Sequence, residues 1–305
     1  MPPAYLMSKS YKRFWLKFWR NSLTAIFMAF MVSSCSENEE IKHIEILRVA
    51  VLPDQNKEKL QATYQELLHH INSHTELKSQ LIIPGSYEEL LQLFDEKKID
   101  LALFGGATYV KAYMKNGAVP LVMRDVDGHF RSVALVHADN PAKTIADLKN
   151  ASLAFGPKLS TSGHYMPRFF LKNLSIIPEE FFRTIQYSGA HDRTAEWVRD
   201  GKIEVGIANS GIVNDMFLEG TLNNDMVKVI WQSPPFSDNV WAIQPDINRR
   251  LRIIIRDSFL HLNQKDGQEP LMKRLGANYY LPASHKNFRN LEQVLRQMTQ
   301  FKEQP

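Results

Sequence analysis

Apolar and polar positions along this chain follow two rhythms that keep trading places. Short, mostly apolar runs read as buried strands: Glu45–Leu52, Leu81–Ile83, Ile99–Phe104, Pro120–Arg124, Arg131–His137, Ala151–Phe155, Thr184–Tyr187, Val205–Ala208, Val227–Trp231 and Val240–Ile243. Between them lie stretches with helical spacing. Lys57–Ser73 puts Leu60, Tyr64, Leu67, Leu68 and Ile71 on one face. Further helices are expected after Ser86, after Gly106, from Tyr165 to about Leu174, from His191 to near Asp200, and over Ile212–Leu218. From about Asn248 the pattern is helical, ending in an amphipathic helix near Leu291–Phe301. Strands alternating with helices across short Gly, Pro and Asn turns mean βαβ units and parallel sheets. Two α/β lobes follow, one from 46–125 with the returning tail 240–305, the other from 132–232. The crossings near 125–131 and 233–239 act as hinges. A cleft between lobes is a preferred place for a small-molecule site.

Several strands pass straight into a helix through glycine and hydroxyl residues. The clearest case runs from Ala151 to Phe155, through Gly156-Pro157-Lys158-Leu159, into Ser160-Thr161-Ser162-Gly163-His164. The first N–H groups of a helix have no partner inside it, and the dipole places positive charge there. Ser and Thr add donors at the same point. Two readings stand: a plain helix cap, since these residues cap any helix, or an anion site. The start after Ser86 has its own explanation, because Ser86 with Glu89 makes a capping box. Tyr87 at the first helical position is less easily explained. Thr108 and Tyr109 sit at the start after Gly106, and His191 at the start after Gly189. His164 either lines a cleft or points to solvent. His70 and His74, four apart near a helix end, have a metal-holding spacing but no Cys or acid to join them, and read as a solvated helix end.

Length and charge then narrow the partners. A chain of 305 residues has room for about two domains, and 44% hydrophobic with 23% charged residues is globular composition. The net charge of +4 belongs to the first 34 residues, where Lys9, Lys12, Arg13, Lys17 and Arg20 stand without an acid. Without those five, 32 basic residues face 33 acidic ones. No nucleic-acid face is expected. The same leader has a basic n-region and an uncharged h-region, Leu23–Val32, well short of the ~20 residues that span a bilayer. Val32-Ser33-Ser34-Cys35 follows and contains the only cysteine. It resembles the lipobox of bacterial lipoproteins, which implies a signal peptide over 1–35, lipidation at Cys35, a polar tether over 36–45 and a lipid-anchored protein on the periplasmic or cell-surface side of the membrane. No cofactor or metal site is expected, and the body reads as a monomer.

Ser160-Thr161-Ser162-Gly163-His164, then Ser188-Gly189-Ala190-His191-Asp192, then Ser233-Pro234-Pro235 resemble the phosphate/phosphite/phosphonate-binding solute receptors of ABC importers. The resemblance runs from Arg48 to about Leu281. It implies the type II periplasmic binding protein fold, with two α/β lobes, two hinge crossings and a ligand clamped in the cleft, and an ABC permease as partner. Ser160, Thr161 and Ser162 fall on the family's anion-binding run, His191 on its binding His, and Tyr87 on an aromatic position at the cleft mouth. Asp238 lies near a family acid in a segment of different length, and it is also readable as a turn Asp beside Asn239. A carboxylate there would accept a proton-bearing P–OH and repel sulfate. Relatives often carry Tyr at Phe104, which has no hydroxyl; Tyr109 is the expected substitute, with the Thr108 helix start beside it. No carboxylate follows Asn209 in Ser210-Gly211-Ile212-Val213, so an ammonium-bearing ligand is disfavoured and small tetrahedral anions are expected.

Two other functions compete. Ser162 with His191 and Asp192 or Asp238 could form a hydrolase's nucleophile, base and orienter, though no Gly-x-Ser-x-Gly surrounds the serine. The closed lobes could also dock on a membrane kinase as a sensor.

Overall fold

The computed structural model describes residues 44–264 and 267–300. The leader with Cys35, and the tether up to residue 43, lie outside the described residues. In chain order the strands are β1 (Ile46–Ala50), β2 (Lys78–Ile82), β3 (Leu101–Phe104), β4 (Val119–Arg124), β5 (Ser132–His137), β6 (Ser152–Phe155), β7 (Thr184–Tyr187), β8 (Val205–Asn209), β9 (Val227–Gln232), β10 (Val240–Ile243) and β11 (Tyr280–Pro282). The helices are α1 (Lys57–Thr75), α2 (Tyr87–Asp95), α3 (Gly106–Asn116), α4 (Met166–Asn173), α5 (Pro178–Phe181), α6 (His191–Arg199), α7 (Ser210–Leu218), α8 (Arg249–His261), α9 (Glu269–Arg274) and α10 (Arg289–Gln300).

The strands form two sheets, ordered β11-β4-β10-β3-β1-β2 and β7-β6-β8-β5-β9. Both sheets are mixed rather than purely parallel. β10 runs antiparallel between β3 and β4, and β5 antiparallel between β8 and β9. Each of these strands enters its sheet directly from a crossing, so it arrives from the other lobe's direction and lies reversed. β3, β8 and β10 are buried along their whole length, as expected for strands covered on both faces. In the first lobe Leu47, Val49, Trp241 and Phe259 pack on one side of the sheet, and Ala50, Phe94, Phe104 and Phe288 on the other.

The sequence reading misses two local features. β11, inside the tail read as helical, pairs antiparallel with β4 through Tyr280 and Leu281. His70 is no solvated helix end, for it is buried and its Nε2 lies 2.8 Å from the Ser258 carbonyl of α8. Helix-on-helix packing of α1 with α8 covers what the sequence leaves exposed.

The two crossings are bonded to each other. Phe130 and Phe236 exchange backbone hydrogen bonds of 2.9 and 3.0 Å. Ser132 N–H donates to Ser233 Oγ at 2.9 Å, and Ser233 N–H returns to the Ser132 carbonyl. Asp127, 1% exposed, accepts Arg124 Nε and Nη2 at 2.9 and 2.6 Å and Asn239 Nδ2 at 3.3 Å. Burial opposes the Arg124 charge, but the Asp127 carboxylate more than offsets it and holds the guanidinium above its ordinary pKa.

Candidate functional site

The segment after β6 is built to turn its hydroxyls outward. Ser160 Oγ accepts Gly163 N–H at 2.9 Å, so Ser160 is the cap. Tyr165 N–H reaches the Ser160 carbonyl and Met166 N–H the Thr161 carbonyl, five residues back in each case. Such a wide, π-type turn over Thr161–Tyr165 precedes α4 and is a frequent mark of functional positions. With Ser160 serving as cap, Thr161 and Ser162 are released for the opposite lobe. Both are 1% exposed.

Across the cleft stands the start of α3. Gly105 precedes it and has no side chain with which to cap it. The first two N–H groups therefore take partners from elsewhere: Gly106 N–H donates to Asp238 Oδ1, and Ala107 N–H to Thr161 Oγ1, each at 2.9 Å. Asp238, 2% exposed, also accepts the Thr161 and Ser162 hydroxyls. Burial pushes its pKa up to about 6, and those donors pull against the rise. Tyr87, at the start of α2 and 3% exposed, meets Ser160 from the first lobe. Burial raises its phenol well above the ordinary value.

His191 begins α6 directly behind Ser160. Its N–H donates to the Asp54 carbonyl of the first lobe at 2.9 Å, and Asn56 N–H donates to Asp192 Oδ2 at 2.7 Å. Burial lowers the imidazole pKa to about 3, so the ring is neutral. Nδ1 accepts Asn209 N–H at 3.2 Å, which assigns the ring proton to Nε2, 3.2 Å from Ser160 Oγ. The ring fits because two glycines face it. A Cβ at Gly163 would lie 2.7 Å from His191 Cε1 and 3.0 Å from Gly156 Cα. Gly163→Ala is therefore expected to destabilise the protein by about 1–3 kcal/mol through overpacking and to displace the His191 ring. Denaturant unfolding measures the first effect, and histidine NMR shifts report the second.

Six of the eight cleft residues expected from sequence (Tyr87, Ser160, Thr161, Ser162, His191 and Asp238) thus meet in one contact zone. Thr108 contributes only through its helix, since its hydroxyl donates to the Gly105 carbonyl at 2.9 Å. Tyr109 is the exception and a correction. Its ring is fully buried against Phe288, with its hydroxyl 3.3 Å from His285 Nδ1. One helical step beyond Thr108 turns the side chain away from the cleft and into the first lobe. His164 neither lines the cleft nor meets solvent. Its Nδ1 lies 2.6 Å from the Lys158 carbonyl, while its Nε2 accepts Arg168 Nε at 2.7 Å. The hydrolase constellation does not form: Ser162 serves Asp238, His191 meets Ser160, and the second ring nitrogen faces a backbone N–H instead of an acid.

The sequence reading missed Asp54 and Asn209. Asn209 caps α7, accepting Gly211 and Ile212 N–H at 2.8 and 3.1 Å. Asp54 follows β1 where the chain heads into α1, the same strand-to-helix position as the other site residues; that placement was the available signal. A cavity of about 830 Å³ lined by both lobes, with Lys59, Arg124, Asn209 and Asp215 among its walls, meets the donor zone at Asp54. Thr161, Ser162 and Asp238 do not line it.

Comparison with known proteins gives the family and the fold. The family model described as "ABC transporter, phosphonate, periplasmic substrate-binding protein" matches residues 49–288. The Prochlorococcus marinus protein named "Probable ABC transporter phosphite binding protein PhnD1" is 24% identical over 274 residues, 85% of this chain and 91% of that protein. The phosphate-import protein PhnD of Mycolicibacterium smegmatis is 25% identical over 235 residues, 70% of this chain and 73% of the relative. Among solved structures, PhnD1 of Prochlorococcus marinus in complex with methylphosphonate superposes with a TM-score of 0.80 at 23% identity, covering 84% of this chain and 98% of that one.

Proposed function

The chain belongs to the phosphonate substrate-binding family of ABC transporters, and from that membership we propose that it captures a small tetrahedral phosphorus oxyanion between its lobes for import. The family is periplasmic and is one of substrate-binding proteins, not of enzymes. The observation that carries the reading is the meeting of two helix starts: Thr161 before α4 accepts Ala107 N–H of α3 across the cleft, and Asp238 joins Gly106 N–H to the Thr161 and Ser162 hydroxyls. Each helix start is worth about 0.3–1 kcal/mol to an anion, and up to about 2 when partly buried. Hydrogen bonds to a charged group add roughly 1.5–3 kcal/mol each. A handful of such donors supports tight binding after the costs of desolvation and closure. No arginine cluster is required, which keeps the ligand releasable.

In this reading Tyr87, Ser160, Thr161, Ser162 and the start of α3 at Gly106–Thr108 bind the oxyanion. His191 holds the Ser160 hydroxyl with its Nε2 proton, and Asp238 holds the α3 start. Residues 46–125 with 240–305 form one jaw and 132–232 the other, and bending near 125–131 and 233–239 opens them. Cys35 carries the lipid that keeps the protein at the membrane beside its permease. The relatives' names point to phosphite, phosphonate and phosphate as the ligands to try. Titration calorimetry of the purified protein with phosphite, methylphosphonate, phosphate and sulfate tests the reading. Micromolar or tighter binding of at least one phosphorus oxyanion, with sulfate far weaker, is expected. No binding below millimolar for any of the four overturns it.

A further inference from the structure

Two carboxyls stand at the closed cleft, and they differ in one respect. Asp238 is fully served by the protein, through Gly106 N–H and the Thr161 and Ser162 hydroxyls. Asp54 is not. It is half-buried on the cavity wall and its carboxyl meets its own backbone N–H, but its Oδ1 is sealed from solvent and has no hydrogen-bond partner. A sealed polar atom without a partner is uncommon and costs free energy unless something supplies one. Resting on the oxyanion reading above, we propose that Asp54 reads the ligand's proton. Its carboxyl shares one hydrogen with an oxygen of the bound anion, so a proton-bearing phosphorus oxyanion is held and fully ionised sulfate is turned away.

The placement of Asp54 supports this role. Its carbonyl accepts the His191 N–H, which fixes it against the residue behind Ser160. Its charge is felt at Tyr87 and at Asp238, the other two walls of the donor zone. The charged groups facing it come from every side: Arg124 from β4, Asp192 from α6, Asp238 from the second crossing, and the Tyr64 and Tyr87 phenols from α1 and α2. Lys59 and Asp215 lie on the shared cavity wall, where Lys59 is already paired with Glu219 at 2.6 Å. Burial pushes the Asp54 carboxyl up to about 7, with Asp192 and Asp238 adding to the rise and Arg124 pulling against it. The group therefore changes protonation where phosphorus oxyanions change theirs, and sulfate has no proton to share.

The sign of the pH dependence follows. At lower pH either the ligand or Asp54 already carries the shared hydrogen. At higher pH both have lost it, and binding must take one proton from solvent, so affinity falls by up to about tenfold per pH unit. The test uses the full chain in detergent, with methylphosphonate and sulfate as probes. Wild type should lose methylphosphonate affinity as the pH rises, and calorimetry in buffers of different ionisation heat should show uptake approaching one proton at alkaline pH. In Asp54→Asn that fall should vanish and sulfate should bind at least tenfold tighter than to wild type. Zero proton uptake by wild type overturns the proposal even if Asp54→Asn cannot be folded. So does an Asp54→Asn protein that keeps the wild-type pH profile and still rejects sulfate. If wild type binds no oxyanion at any pH, the reading of the cleft itself falls, and this proposal with it.

Discussion

In Thr161→Ala, capture of methylphosphonate or phosphite is expected to weaken at least tenfold, about 1.4 kcal/mol, while the protein stays folded. The hydroxyl does two things at once. It accepts Ala107 N–H at 2.9 Å from the facing lobe and donates to Asp238. On the proposed reading, the hydroxyl turns its one hydrogen from Asp238 to the oxyanion when the ligand binds; alanine removes that donor and also leaves the Ala107 N–H without its partner. One hydrogen bond to a charged group is worth roughly 1.5–3 kcal/mol, which sets the size of the loss. Thr161 contributes little to either hydrophobic layer of its lobe, so unfolding should shift by only about 1 kcal/mol. Thr161→Ser keeps the hydroxyl and should bind close to wild type. A Thr161→Ala protein that binds within about twofold of wild type would remove this residue from the ligand's surroundings.

The second large effect is on stability. Asp127→Ala should cost about 3–5 kcal/mol, the usual price of stranding one partner of a buried ion pair. Arg124, with its side chain only 19% exposed, would keep its bond to the Leu275 carbonyl at 2.9 Å but lose both contacts to the carboxylate. Arg124 N–H and Asn239 Nδ2 would lose the same acceptor. Urea unfolding is the measurement, since the loss appears as a lower midpoint with an unchanged slope. Asp127→Asn, which preserves the shape and some of the acceptors, should cost less. A cost below about 1 kcal/mol for the alanine variant would mean that the pair behaves like one at the surface.

The strand-to-helix pattern made the two-lobed architecture legible, because alternating short apolar runs and helical spacings leave few other arrangements. Ser160-Thr161-Ser162 was legible for the same reason: three hydroxyls at a helix start after a buried strand are visible without coordinates. The division of labour among them was not. Only the five-residue return of the backbone over Thr161–Tyr165 shows that Ser160 caps the helix and frees its two neighbours. Tyr109 was misread because proximity to a helix start does not fix the direction of a side chain, and one residue of rotation carried it to Phe288. Asp54 was passed over since Pro53-Asp54 is an ordinary strand end; that its Oδ1 lacks a partner is a property of three-dimensional packing.

On the proposed reading of the two crossings as hinges, the backbone exchange between Phe130 and Phe236 limits how the lobes travel. Two unconnected straps would let one lobe roll, slide and tilt independently of the other. Joined edge to edge as a short ribbon, they share one curvature, and opening reduces to a single angular coordinate. On that reading, escape of a bound ion is governed by one rotation and not by a search among many partly opened shapes.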